Sequence, residues 1–148
     1  MQIDEKDFKI LAVLEREARA GLREIARKTR MPITTVHHRI KNLEEAGIIK
    51  GYSAVLDYEK LGFGVLAYVL VNIGSARESG HLIDQEKIAE KIRALENVSE
   101  VSIITGEKDM IIKVRTKNIS QLNNFILKKL RSIEGVEKVV TMIALSSF

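Results

Sequence analysis

The sequence predicts an α+β fold in two unlike parts, because the apolar period changes once along the chain. Up to Gly47, apolar residues recur at three- and four-residue spacing; beyond it, runs such as Leu66-Ala67-Tyr68-Val69-Leu70-Val71 are extended in character. A second observation is that residues 22–50 read as two short helices joined by a tight turn. A third is charge: residues 19–50 hold eight basic side chains against three acidic ones, a net of +5 against +4 for the whole chain. The basic character is therefore concentrated in the first part, as an electrostatic footprint for nucleic acid would be.

In chain order, Ile3-Asp4-Glu5-Lys6-Asp7-Phe8 is a helix start. Asp4 suits the N-cap, Asp7 stands where a capping box has its acid, and Ile3 with Phe8 matches a hydrophobic staple. Phe8, Leu11, Leu14 and Ala18 then share a face expected to pack on the next two helices. Leu22, Ile25 and Ala26 give the second helix its apolar side; Val36, Ile40 and Leu43 give the third its own. Ala26 is small where a crossing helix must come close. Arg30 occupies the turn, where glycine usually takes a left-handed conformation. Pro32, the only proline, falls in the first turn of the third helix, where it costs least. Gly47 stands just past that helix, where a left-handed C-terminal residue is wanted. The arrangement is a helix-turn-helix whose second helix reads DNA.

That reading helix has two faces. With Val36 inward, Thr34, His38, Lys41 and Glu45 project roughly opposite, and His37 and Asn42 flank them. Thr, His, Lys and Asn side chains can each donate to phosphates or base edges. The candidate DNA-binding residues are Arg23, Thr34, Thr35, His37, His38, Arg39, Lys41 and Asn42, and the expected partner is double-stranded DNA. An ordinary amphipathic helix with a solvated face would show the same pattern; the concentrated charge favours DNA. His37 and His38 cannot share a metal ion, since adjacent helical side chains point about 100° apart and no acid lies at i+4 of His37. No metal and no cofactor are expected.

After Gly47, the segment 48–57 is extended in character and 57–62 reads as a turn. Strands are expected over 66–73, 98–105, 110–115 and 136–145. One helix is marked by Ile88, Ala89, Ile92 and Leu95, another by Leu122, Phe125, Ile126 and Leu130. The order βαββαβ is a ferredoxin-like split βαβ unit. An internal echo supports it: Glu96-Asn97-Val98-Ser99-Glu100-Val101 resembles Glu134-Gly135-Val136-Glu137-Lys138-Val139, each leading a helix into a strand. Such a sheet carries helices on one face only. Tyr68, Leu70, Ile104, Ile112 and Val114 are expected on the other, where a partner subunit is the simplest cover. The division is therefore 1–50, a helix-turn-helix DNA-binding domain; 51–62, a linker strand and turn; and 63–148, a ferredoxin-like oligomerisation domain.

Composition narrows the class. With no cysteine there are no disulfides and no thiolate metal sites, which fits a reducing cytoplasm. No apolar run approaches a membrane span, and Met1 leads directly into a polar helix start, so neither membrane nor signal peptide is expected.

The whole arrangement resembles the Lrp/AsnC family, the leucine-responsive or feast/famine regulators. The residues carrying the resemblance are Ile3-Asp4; Arg23-Glu24-Ile25-Ala26; Val36-His37-His38-Arg39-Ile40-Lys41-Asn42-Leu43-Glu44 running into Gly47-Ile48-Ile49; Leu61-Gly62; Thr105-Gly106-Glu107-Lys108-Asp109; and Thr141-Met142-Ile143. The resemblance implies a transcription regulator that forms homodimers through its C-terminal domain and higher oligomers such as octamers. It also implies a small effector, usually an amino acid, bound between C-terminal domains near Thr105, Gly106, Glu107, Asp109 and Thr141. The chain departs from the family pattern at Arg30, Pro32, Glu107 and Val139, and its 74–84 loop is longer than usual. The competing class is an enzyme of the siroheme-decarboxylase type, which shares this architecture. Catalysis there needs clustered acid–base groups in the C-terminal domain, whereas two of the three histidines lie on the reading helix.

Overall fold

The computed structural model describes residues 2–74 and 84–146, and the chain divides into two compact units, residues 1–56 and 57–148. Unit 1 is three helices: α1 (Glu5–Arg16), α2 (Leu22–Thr29) and α3 (Ile33–Glu45). The N-terminus of α1 carries the full capping box, with Asp4 accepting the amides of Lys6 and Asp7 while the Asp7 side chain accepts the Asp4 amide. These bonds satisfy donors that a helix start leaves unpaired.

The inward face of α1 differs from the expected one. Ile10, Leu14 and Asp7 are buried, while Phe8 is 62% exposed and Leu11 half-buried. The apolar stripe of α1 is wider than the groove it meets, so the sequence alone could not choose between neighbouring rows. Ile10 and Leu14 close on Ile25, Ala26 and Val36, with Leu22 and Ile40 packed at the edge.

Arg30 takes the left-handed conformation, with φ 55° and ψ 41°, and its place at the end of α2 makes the turn. Pro32 is the N-cap of α3 rather than a residue of its first turn, and makes no side-chain cap. At the other end, Gly47 (φ 69°) reverses the chain; its amide reaches the Glu44 carbonyl and the Ile48 amide the Leu43 carbonyl. That pair of bonds is the Schellman ending. The segment 51–57 forms no strand within the described residues, and 58–62 is turn. An extended segment becomes a strand only with a ladder partner, and this one finds none among the described residues.

Unit 2 is a four-stranded antiparallel sheet with two helices. In order it comprises β1 (Val65–Ile73), α4 (Gln85–Arg93), β2 (Val98–Ile103), β3 (Met110–Thr116), α5 (Ile119–Asn124), which continues as a π-helical segment over Phe125–Leu130, and β4 (Val136–Ile143). The spatial order is β2-β3-β1-β4, the ferredoxin-like arrangement. β1 runs through the middle, pairing Val69 with Ile112 on one side and with Thr141 on the other. Ala67, Val69, Val71, Met110, Ile112 and Val114 alternate inward against Ile88, Ile92, Leu122, Phe125 and Leu130.

Ile112 and Val114 therefore lie under the helices, both 0% exposed, and not on the open face where the sequence had suggested them. Period-two alternation identifies two faces but cannot name which one the helices cover. The open face, read from the register, carries Tyr68, Leu70, Ile111, Val140 and Met142, with Glu100, Lys113 and Arg115 towards the β2–β3 side. The echo noted in the sequence is one backbone device used twice. Asn97 (φ 73°) and Gly135 (φ 97°) both turn left-handed, and in each case the next amide bonds back three residues, Val98 to Leu95 and Val136 to Ile133.

Candidate nucleic-acid interface and effector turn

The outward face of α3 is built by the burial of its opposite side. Val36 and Leu43 are fully buried, which leaves Thr34, His37, His38 and Lys41 exposed and Thr35 and Asn42 half-buried. The Asn42 side-chain amide lies 3.3 Å from His38 Nδ1, one helical turn away. Lys41 reaches Glu45 at 3.6 Å, an exposed i,i+4 pair that leaves its ammonium available to another anion. Arg23 is exposed and makes no ion pair among the described residues. The Tyr52 hydroxyl donates to Glu44 at 2.8 Å, tying the chain after α3 to its last turn. Partial burial and the neighbouring carboxylate push that hydroxyl up to about 12.

Arg39 is placed differently from the other candidates. Its Nη1 donates to Asp4 Oδ1 and to Asp7 Oδ1, both at 2.8 Å, and its Nη2 to Asp4 Oδ2 at 2.9 Å. The guanidinium thus lies on the start of α1. Thr34, Thr35, His38 and Asn42 border the same polar depression as Asp4, Asp7 and Arg39. Sequence reasoning found the capping box but not its third member, because nothing local links residues 32 and 35 positions apart.

In unit 2, the turn between β2 and β3 is pinned to the end of β1. Asn72 donates to the Glu107 carbonyl at 2.7 Å and receives Lys108 Nζ at 2.9 Å. The Asp109 amide bonds the Val71 carbonyl at 3.0 Å and its Oδ2 accepts the Ile73 amide at 2.8 Å. Asn72 is a turn-holding residue that sequence reading missed, since its strand position resembles any solvated one. Thr105, Gly106 and Glu107 are exposed, and Gly106 has φ 131°, a conformation open to glycine. The amides of 105–108 donate no intrachain hydrogen bond among the described residues.

Asp109 has one carboxylate oxygen engaged by β1, so its first role is to hold the turn. Thr141 is not beside the turn in one chain. It lies on β4, with β1 between it and β3, and its partner Val69 points towards the helices. His81 and most of the long loop fall outside the described residues. Among the described residues, no helix is long and apolar enough to cross a membrane.

Comparison with known proteins agrees with both halves. Residues 3–50 match the family described as winged helix-turn-helix DNA-binding, and residues 67–148 the Lrp/AsnC ligand binding domain. The chain is 40% identical to the HTH-type transcriptional regulator FL11 of Pyrococcus furiosus, with 97% of this chain and 89% of that protein covered. The Pyrococcus horikoshii FL11 is 39% identical, with 98% and 91% covered. Among solved structures, a transcriptional regulator of Neisseria meningitidis in complex with L-Met has a TM-score of 0.87 at 28% identity, covering 98% of this chain and 91% of that one. LrpC of Bacillus subtilis has a TM-score of 0.83 at 27% identity, covering 100% and 98%. With each part matched and full-length relatives this similar, the chain belongs to the Lrp/AsnC family of transcriptional regulators, a DNA-binding helix-turn-helix joined to a ligand-binding domain.

Proposed function

We propose that the protein regulates transcription as a homodimer or higher oligomer, binding duplex DNA through α3 and a small amino acid near the β2–β3 turn. The observation that carries the DNA reading is the outward row Thr34, His37, His38, Lys41 and Asn42 over a buried Val36. Thr34, Thr35, His38 and Asn42 contact base edges; Arg23, His37 and Lys41 contact phosphate and set the salt dependence. The reading is not that of an enzyme, and the site of action is the cytoplasm, where the DNA is.

The effector reading is supported by the unengaged amides of 105–108 around a side-chain-free Gly106, which suit a ligand carboxylate. A methionine complex of the Neisseria relative points to the same ligand class. Thr141 joins such a site only from a second subunit, so ligand and assembly are coupled: the ligand shifts oligomer size or DNA affinity through its differential affinity for the two states.

The test is selection of genomic fragments by the purified protein, with and without each of the twenty amino acids, followed by calorimetry on the wild type and Thr105→Val. A preferred duplex whose affinity changes with one amino acid is expected. No binding at low salt removes the DNA reading. Uniform absence of heat and of thermal stabilisation leaves the turn as plain structure. A Soret band on titration with a tetrapyrrole would instead favour the siroheme-decarboxylase alternative.

A further inference from the structure

The side of unit 1 that faces DNA holds two carboxylates that phosphate would repel. Asp7 is 1% exposed; its Oδ2 accepts the Asp4 amide at 3.0 Å and its Oδ1 takes Arg39 Nη1 at 2.8 Å. Asp4 takes both guanidinium nitrogens. The capping box of α1 therefore doubles as a socket for Arg39. What else holds α3 is largely apolar, through Val36, Ile40 and Leu43, and apolar contact is non-directional. The N-terminus of α3 has no side-chain cap to fix it. A guanidinium fork on carboxylates is directional, and Arg39 sits next to His38 and three residues before Asn42.

We propose that Arg39 is a positioning residue. The Asp4–Asp7–Arg39 clamp sets the rotation of α3 against α1, and so decides how Thr34, His38 and Asn42 meet the base edges, while Arg39 makes no phosphate contact of its own. The proposal rests on α3 being the DNA-reading helix. It also predicts a sign. If Arg39 held phosphate, Asp7→Asn would loosen its competing hold and remove a negative charge, and binding would tighten. If the clamp positions α3, Asp7→Asn loosens the helix and specific binding weakens.

The experiment uses the full chain with two probes, the duplex most enriched by the wild type from genomic fragments and poly(dI-dC), titrated by fluorescence anisotropy at several salt concentrations. Asp7→Asn and Arg39→Lys are expected to lower the ratio of specific to non-specific affinity about tenfold, as loss of one base-edge contact does. The salt slope should hold to well within the ~0.9 that one lost phosphate contact would remove. Lysine keeps the charge but not the fork, so a phosphate contact would survive that change and a clamp would not. Asp4→Asn retains the N-cap and loses the charge and one acceptor of the guanidinium; it should shift the ratio in the same direction, and it decides the matter if circular dichroism shows Asp7→Asn unfolded. Tighter binding by either Asp variant, or Arg39→Lys behaving as wild type, overturns the clamp. A wild type that enriches no duplex fails earlier, at the DNA reading itself, and takes the clamp's role in recognition with it.

Discussion

Arg30 is the residue that local rules favour least. It is exposed, makes no ion pair among the described residues, and holds φ 55° and ψ 41°, where a β-carbon crowds the following carbonyl. Arg30→Gly should therefore raise stability by about 1 kcal/mol in urea denaturation; no gain would mean that the arginine has a folded-state partner. The clamp residues carry the opposite cost. Arg39→Met leaves the buried Asp7 carboxylate without its cation, and stranding a buried charge costs about 3 kcal/mol or more. An unchanged denaturation midpoint would show that water replaces the guanidinium. Asp4 adds a pH dependence: the Arg39 hydrogen bond above all, with the backbone bonds from Asp7 and Lys6, holds its carboxyl below the ordinary value. A group depressed in the folded state gives stability that is present above its unfolded pKa, about 4, and is lost as pH falls through the folded value. The urea midpoint should fall as pH drops below about 4, and Asp4→Asn should flatten that fall. Equal slopes would assign the acid sensitivity to other depressed carboxyls such as Glu17 and Asp84.

At the scale of elements, α3 depends on its ends as much as on its face. Its start relies on Pro32, whose fixed φ suits a cap position but which offers no acceptor side chain. Its end relies on Gly47, whose φ of 69° lets two amides close on the carbonyls of Leu43 and Glu44. Space is open around Gly47, so Gly47→Ala tests conformation alone. It should cost about 1 kcal/mol, the penalty for a side chain in the left-handed region. Thermal melts equal to wild type would mean the chain leaves α3 by another route. In unit 2, the helix after β3 widens to a π segment that sets Phe125 and Leu130 both against the sheet. They stand five positions apart, the i→i+5 spacing of a π-helical hydrogen bond.

At the scale of the whole molecule, the open face of the sheet in unit 2 carries exposed apolar side chains. Val140 and Met142 are each nearly half exposed on β4, beside Tyr68 and Leu70. A charge placed among them should oppose burial by a second subunit at little cost to the folded chain. Met142→Glu is expected to reduce the species seen by light scattering to a smaller one, with the helical signal intact; an unchanged mass would move the interface elsewhere. If Thr141 reaches the effector from a second subunit, the same variant should also lose its response to the amino acid.

Sequence alone determined the order of the helices and of the four sheet strands, since Leu22, Ile25, Val36, Ile40 and Leu43 keep a helical period while Ala67, Val69, Val71, Ile112 and Val114 keep a period of two. The capping box at Asp4 and Asp7 and the reversal at Gly47 were equally legible, because cap and turn chemistry is local. The outward set Thr34, His37, His38 and Lys41 followed from the helical period once Val36 was taken as core. Only the tertiary structure decided which row of α1 is buried, which face of the sheet takes Ile112 and Val114, and that Arg39 pairs with Asp4 and Asp7 across more than thirty residues of sequence. Each of those depends on what a surface meets across space. Periodicity fixes the relative directions of side chains within an element, and packing between elements fixes what lies in each direction.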